Sequence, residues 1–283
     1  MRKIVFSILL LVAVVQLSAQ QNRQVTREQL ELFKKSTTYV VMDNNPMLGY
    51  NITIKAAIEK FWKITPFKFI SSDEFETMRL DRSKSFILLT KVNLTKETTG
   101  AEYLYLNFLM GDSVKDMNYM PEILVLPLCY NGVDENSYTY KMGVIVRFVQ
   151  EHVKTLMDSK IIFPYKNLTY YNMQVRDIKK KTLLVEKTDL AEEVNSLEKI
   201  KAFYPYEIRI VTSDEIENAV NKQTPNTLIL HVISPAKDEA SGRSYKIIYG
   251  VADNKMYYYS YEKISQMRPA GFLAKDFKRI ATE

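Results

Sequence analysis

The sequence predicts an α/β protein made of two similar domains in tandem, each a small mixed sheet with helices packed on it. One observation is that an acidic hexapeptide occurs twice, as SSDEFE at 71–76 and as TSDEIE at 212–217. Another is that the residues around the two copies align without a gap. A third is an apolar content of 46%, which favours packed cores over disorder.

The two copies keep the same register beyond the hexapeptide. Residues 67–76 match residues 208–217 with four identities and six conservative pairs, and the same alignment places FILL at 86–89 over TLIL at 227–230. A helix start that recurred by chance would not keep register into the next strand. We therefore interpret the pattern as an internal duplication, with two copies that are too few for a solenoid.

Each copy begins with a predicted strand, residues 39–42 or 182–186, and continues into a helix whose apolar residues recur every three or four positions. A second strand follows, FKFI or IRIV. The alignment also pairs Trp62 with Phe203, and we expect Trp62 to lie in the core.

The hexapeptide is predicted to begin the second helix of each copy. Ser71 and Thr212 are each followed three residues later by a glutamate, Glu74 or Glu215, which is the capping-box arrangement. The other acidic residues of each hexapeptide lie near the positive end of the helix dipole, where negative charge is stabilising. The alternative is metal binding or acid–base chemistry, but the chain has no D-x-D-x-D-G loop to support it.

Three strands and a helix complete each copy. The strands are FILL or LILH, then alternating patterns at 103–108 or 245–249, then 123–129 or 256–261. The last helix is amphipathic, at 144–157 or, more briefly, at 272–280. The predicted order of each unit is β-α-β-α-β-β-β-α, which is typical of a mixed sheet covered by helices.

The first residues have the composition of a secretory signal peptide. Arg2 and Lys3 precede an apolar run, and Ala19 offers a small residue before Gln20. The run of about a dozen apolar residues is shorter than the roughly 20 that a spanning helix needs. We expect export to the periplasm or extracellular surface of a Gram-negative-type bacterium, with no membrane span in the mature chain.

The predicted domain boundaries follow from these patterns. Residues 1–19 are the signal peptide, 20–160 the first repeat domain and 178–283 the second. The segment 161–177 is predicted to be a packed aromatic connector, which could add a strand, because it lacks the Gly and Ser content of a flexible linker.

Net charge argues against nucleic acid as a partner. The 39 basic and 33 acidic residues give +6, and loss of Arg2 and Lys3 with the signal peptide lowers this to +4. The basic residues are scattered, and the one run of three, 179–181, is typical of a solvated turn.

The sequence carries no standard catalytic constellation, so we assign no catalytic residue, metal ligand or cofactor. Cys129 is the one cysteine and is predicted to be a small buried hydrophobe. His152 lacks a second histidine four positions away, and His231 lies in a predicted strand. No G-x-S-x-G, Walker or G-x-G-x-x-G motif occurs.

Tyrosine is abundant, with 19 residues, and clusters in MYYYSYEKI at 256–264. Strand alternation places Tyr257, Tyr259 and Tyr261 on one face, where they would form a binding platform for a protein or glycan of the cell envelope. The alternative is that they simply pack under a helix.

These observations predict an exported, non-catalytic binding or scaffold protein. The rival prediction is a hydrolase of a cell-envelope or dietary polymer that uses carboxylates gathered at the cleft between the two copies, because two acids need only be close in space. A deep cleft holding acids from different elements would favour the rival.

Overall fold

The computed structural model describes residues 23–93, 100–160, 168–235 and 241–283. The predicted signal peptide and residues 161–167 of the predicted connector lie outside the described residues.

The first copy forms a five-stranded mixed sheet in the order β2-β1-β3-β4-β5. The strands are β1 (Thr38–Val41), β2 (Phe67–Ile70), β3 (Ser85–Asn93), β4 (Glu102–Met110) and β5 (Glu122–Tyr130). β1 pairs in parallel with β2 and β3, whereas β4 and β5 add antiparallel hairpin partners.

The second copy repeats this topology. Its strands are β6 (Thr182–Val185), β7 (Ile208–Ile210), β8 (Thr227–Ile233), β9 (Arg243–Gly250) and β10 (Met256–Lys263), in the order β7-β6-β8-β9-β10. β6 pairs in parallel with β7 and β8, and the last two strands are antiparallel. The predicted fold class, two mixed sheets with helices packed around them, is confirmed.

Apart from α1, the helices fall where the repeat predicts them. They are α1 (Arg27–Phe33), α2 (Gly49–Phe61), α3 (Ser72–Met78), α4 (Met142–Asp158), α5 (Leu197–Lys201), α6 (Ser213–Lys222) and α7 (Ala274–Thr282). α1 precedes the first unit, and α2 to α4 and α5 to α7 occupy matching places in the two units. No helix in the described ranges has the length and apolar content needed to cross a membrane.

Both predicted capping boxes are present. The Ser71 hydroxyl accepts from the Glu74 backbone N–H at 3.2 Å, and the Glu74 carboxylate accepts from the Ser71 N–H at 2.8 Å. Thr212 and Glu215 repeat the arrangement at 3.3 and 3.0 Å. The backbone N–H of Ser71 and, to a smaller extent, its hydroxyl at 3.0 Å donate to the Glu74 carboxylate and lower the pKa of Glu74.

The part of the connector that the structure describes is packed and forms a helix rather than an additional strand. Its described part, Leu168–Lys180, is a 3-10 helix whose buried residues include Leu168, Tyr171 and Ile178. It lies on β10, where the Asn172 side chain donates to Tyr259 O at 2.9 Å and accepts from Tyr259 N at 2.7 Å. We refer to this segment as the connector helix.

Helix α4 joins the two copies in one core. Phe148 contacts Tyr249 of β9 with ring centroids 5.5 Å apart. His152 of the same helix lies 3.0 Å from the carbonyl oxygen of Ile123 in β5, to which its Nε2 donates. The largest apolar cluster accordingly contains residues of both sheets, so the two units share a packed junction rather than a continuous open cleft.

Candidate functional site

A pocket of about 450 Å³ opens where the two copies meet. Its walls come from the end of β5 and the turn that follows, from the segment after β6, and from the end of β8. We call it the interdomain pocket. Its volume lies within the range that small-molecule sites occupy.

The position of the pocket follows from the topology of the second sheet. β7 and β8 flank β6 on opposite sides. The connecting helices also cover opposite faces, since Ile200 of α5 and Ile216 of α6 belong to different core clusters. The carboxyl ends of β6 and β8 therefore form a topological switch point, the place where open α/β sheets bind ligands. Glu186 follows β6 directly, and Ser234 follows β8.

A buried lysine from the first copy holds two acids of the second copy at the pocket wall. Lys141 has no exposed side-chain surface, and its Nζ lies 3.1 Å from Asp189 Oδ2 and 3.6 Å from Glu186 Oε2. The Tyr140 hydroxyl donates to the same Glu186 oxygen. This cluster ties the copies together, because a fully buried lysine of one copy has its counter-charges on two partly buried acids of the other.

His231 lines the pocket and also bridges the two sheets. Its Nε2 lies 2.9 Å from the carbonyl oxygen of Leu128 in β5, so this nitrogen carries the proton. Nδ1 is buried and has no hydrogen-bond partner among the described residues. Burial, with a smaller contribution from the charge of Lys141, lowers the pKa of His231 to about 3. The ring is therefore neutral near pH 7, and Nδ1 is an unsatisfied acceptor.

The remaining acid of the pocket has a local structural role. Asp134 Oδ1 accepts from Asn136 N at 3.0 Å and caps the short 3-10 helix Glu135–Ser137. Next to it, Glu135 accepts from Gly49 N at 2.7 Å, at the start of α2. Within the described ranges, no group of three or more histidine, cysteine or acidic side chains converges as a metal site.

Cys129 is the buried hydrophobe that the sequence predicts. It is 4% exposed, and burial raises the pKa of its thiol to about 12. The thiolate, which is the nucleophile in cysteine chemistry, is therefore scarce at neutral pH. Cys129 contributes to the pocket wall as an apolar group.

The tyrosine cluster does not form the expected exposed platform. Tyr257 and Tyr259 are buried, and Tyr261 alone of the three is exposed, at 51%. The connector helix contacts the backbone of Tyr259. The Tyr257 hydroxyl donates to Asp253 Oδ2 at 2.5 Å. A role for these tyrosines in binding stays a prediction, with Tyr261 as the exposed member.

Comparison with known proteins gives no relative. No protein-family model matches the chain, and no curated protein or solved structure is significantly similar to it. Any functional argument therefore depends on the geometry of this chain itself.

Sequence reasoning missed the residues of the interdomain pocket. Lys141 precedes an apolar helix, where a solvated lysine is the ordinary expectation. Glu186 and Asp189 did carry a usable signal, because Glu186 ends a predicted strand and Asp189 lies between that strand and the next predicted helix, where α/β units place ligand-binding residues. The pairing of these acids with a lysine 45 or more positions earlier was not readable from local patterns.

Proposed function

We propose that the protein is an exported, non-catalytic binding protein whose ligand occupies the interdomain pocket. The observation that carries this proposal is the position of the pocket, at the switch point of the second sheet with walls from both copies. Residues of the first copy form one wall of the pocket and residues of the second copy form the other. The ion cluster around Lys141 connects the two walls. A pocket preorganised in this way reduces the entropy lost on binding.

The groups at the pocket support binding more than catalysis. Glu186 and Asp189 are engaged by Lys141, and Cys129 is a thiol of raised pKa. Among the described residues, His231 makes no hydrogen bond to a serine, threonine or cysteine side chain, so it has no nucleophile to activate.

A pocket-blocking variant tests the proposal. Ser137 lines the pocket and is exposed, so Ser137→Trp should fill it without disturbing the core. The purified protein is screened by ligand-observed NMR against small metabolites, cell-envelope glycan fragments and short peptides. We expect compounds that bind the unmodified protein, remain chemically unchanged, and lose binding in Ser137→Trp.

The matched control is Ser83→Trp, at an exposed serine of the first copy outside the pocket. It should keep the same ligands. Ligands that bind equally to both tryptophan variants would place the binding site elsewhere and contradict the proposal.

The rival function is a hydrolase of a cell-envelope or dietary polymer. One observation favours it, since Asp134 of the first copy and Glu186 of the second line the same pocket. The test is turnover of a glycan, peptide or phosphoester substrate. If that turnover is lost in Asp134→Asn or Glu186→Gln while the free energy of unfolding is unchanged, the hydrolase function replaces the binding proposal.

Export is part of the proposal and has its own test. The protein is expressed in full in a Gram-negative host, and the N-terminus of the accumulated chain is determined by mass spectrometry. We expect it to begin at Gln20 and to fractionate outside the cytoplasm. An intact chain beginning at Met1 in the cytoplasm would contradict export.

A further inference from the structure

A buried ion cluster joins helix α7 to the sheet of the second copy. Lys246 of β9 is 1% exposed, and its Nζ contacts both the Glu262 carboxylate of β10 and Asp276 Oδ2 of α7. Asp276 is buried as well, and the side chain of Glu262 is 12% exposed. An amine and two carboxyl groups, which are usually solvated, are therefore held in contact inside the protein.

The cluster lies on an apolar face of the sheet. Lys246 and Ile248 are two positions apart on β9, so their side chains lie on the same face. Ile248 belongs to the apolar cluster that contains Phe272 and Phe277, on either side of Asp276 in the sequence. In such surroundings charge is costly, and transfer of one proton from Lys246 to Asp276 makes both groups neutral. A neutral, desolvated amine has the lone pair that a nucleophile requires.

We propose that Lys246 and Asp276 form an intramolecular amide, which links β9 covalently to α7. The Nζ lone pair attacks Cγ of the protonated Asp276, and Glu262 accepts a proton from Nζ as the N–C bond forms. That proton passes to the departing oxygen, the C–O bond breaks, and one water leaves. No group is oxidised or reduced, and the reaction needs no co-reactant.

The contacts around Asp276 suit its two oxygens to this reaction. The Tyr258 hydroxyl donates to Oδ1 at 3.3 Å, where negative charge develops during the attack. Leu273 N donates to Oδ2 at 2.9 Å and holds the departing oxygen beside Nζ. Lys275 is half-exposed and contacts the second oxygen of Glu262, and its positive charge favours the ionised carboxylate that can accept a proton.

Folding supplies the proximity that amide formation needs. Well-oriented intramolecular partners react as if each were present at concentrations on the order of 10⁵ M or more. This opposes the excess of water that prevents the reaction between free amines and acids. The bond would hold α7 on the sheet in a chain whose single cysteine rules out an internal disulfide.

Tryptic mapping of the full chain, denatured after purification, detects the bond directly. Trypsin cuts after a free lysine but not after one whose Nζ is in an amide. We expect one branched peptide in which residues 244–255, with Lys246 uncleaved, are joined to residues 276–278. Its mass should be the sum of the two peptides less one water.

A change at Glu262 tests the proton transfer. Glu262→Gln keeps the size of the side chain but removes the base, so the yield of the branched peptide should fall at least tenfold. The matched control is Glu193→Gln, because Glu193 is exposed and accepts from Ala274 N at the start of the same helix. That variant should give the branched peptide in the original yield.

The protein without substitutions decides the proposal, whether or not the variants fold. Cleavage after Lys246 in all of the recovered peptide would overturn it, because the amine would then be free. Loss of water confined to residues 276–278 would also overturn it, since that marks cyclisation of Asp276 onto its own backbone. An unchanged yield in Glu262→Gln would contradict the role of Glu262 as the base.

Discussion

Arg147 of α4 is a buried cation that has no hydrogen-bond partner in the part of the chain that the structure describes. It is 4% exposed, Nε, Nη1 and Nη2 all lack partners, and the guanidinium lies 4.7 Å from the centre of the Phe61 ring. Burial lowers the pKa of Arg147 to about 10. A base with a lowered pKa destabilises the folded state at neutral pH, by on the order of 3 kcal/mol for a shift of this size.

Replacing this cation should stabilise the protein. Arg147→Met keeps most of the aliphatic volume and removes the buried charge, so the free energy of unfolding should rise by about 1–3 kcal/mol in urea denaturation. The matched control is Arg79→Met, because Arg79 donates to Glu76, Val114 O and Lys115 O. That variant should lose stability, and a loss in Arg147→Met as well would contradict this interpretation.

Both histidines should make the fold sensitive to mild acid. Burial is the main cause that lowers the pKa of His152 to about 4 and of His231 to about 3, from an ordinary value of 6.5. As the pH falls below about 6.5, the histidines of the unfolded chain become protonated while those of the folded protein stay neutral. The contribution of the two neutral rings to the free energy of unfolding is therefore complete above pH 6.5 and is lost as the pH falls toward 4 for His152 and 3 for His231.

Urea denaturation at several pH values checks this expectation. Between pH 6.5 and 5 the free energy of unfolding should fall by up to about 1.4 kcal/mol per pH unit for each histidine. His152→Gln should reduce the slope by about half. A stability that stays constant from pH 7 to pH 5 would show that the rings do not carry depressed pKa values.

At the scale of elements, the two capping boxes provide a matched pair. Ser71→Ala and Thr212→Ala should each lower the free energy of unfolding by about 1 kcal/mol, because each removes the acceptor for an N–H in the first turn. Ser213→Ala, next to the second box, has no side-chain hydrogen bond among the described residues to lose and should change stability by less than about 0.5 kcal/mol. Equal changes in the free energy of unfolding in all three variants would contradict the assignment of these residues as helix caps.

The elements were largely predictable because their signals are local. The caps, the alternating strands and the spacing of α2 are read over a few residues, and the duplication lets each copy support the other. The connector helix was not predictable as helix, because its aromatic residues favour a strand while packing on β10 decides the outcome.

Trp62 and Phe203 are aligned in the two copies but differ in solvent exposure. Trp62 is 2% exposed, as predicted, and its Nε1 donates to Thr65 Oγ1 at 2.9 Å. Phe203, at the matched position, is 40% exposed, and its neighbour Tyr204 is buried instead. The shorter α5 changes which residue faces the sheet, and sequence alignment cannot detect that change.

At the scale of the whole molecule, Lys141 is the buried ionic link between the copies described here. Lys141→Met should lower the free energy of unfolding by about 1–3 kcal/mol, because the partly buried Glu186 and Asp189 lose the counter-charge of Lys141. The control Lys180→Met removes an exposed pair with Asp177 and should change it by less than about 1 kcal/mol. Circular dichroism with urea measures both, and similar small effects would mean that the cluster does not hold the copies together.

Local sequence patterns do not predict which residues come together at the interdomain pocket. Lys141, Glu186 and His231 belong to three separate stretches of the chain, and packing of α4 between the sheets brings them together. Local periodicity predicts each stretch as an element but not the contacts between the two units. The burial of Tyr257 and Tyr259 was not predictable for the same reason, since the covering connector helix is a tertiary feature.

We propose that the ligand binds in the interdomain pocket. Amide NMR of the labelled protein, with the tightest ligand from the screen, tests it most directly. We expect shift changes concentrated at residues 128–138, 186–189 and 231–235, and their loss in Ser137→Trp. Changes confined to the surface around Tyr261, with the pocket residues unmoved, would contradict the claim.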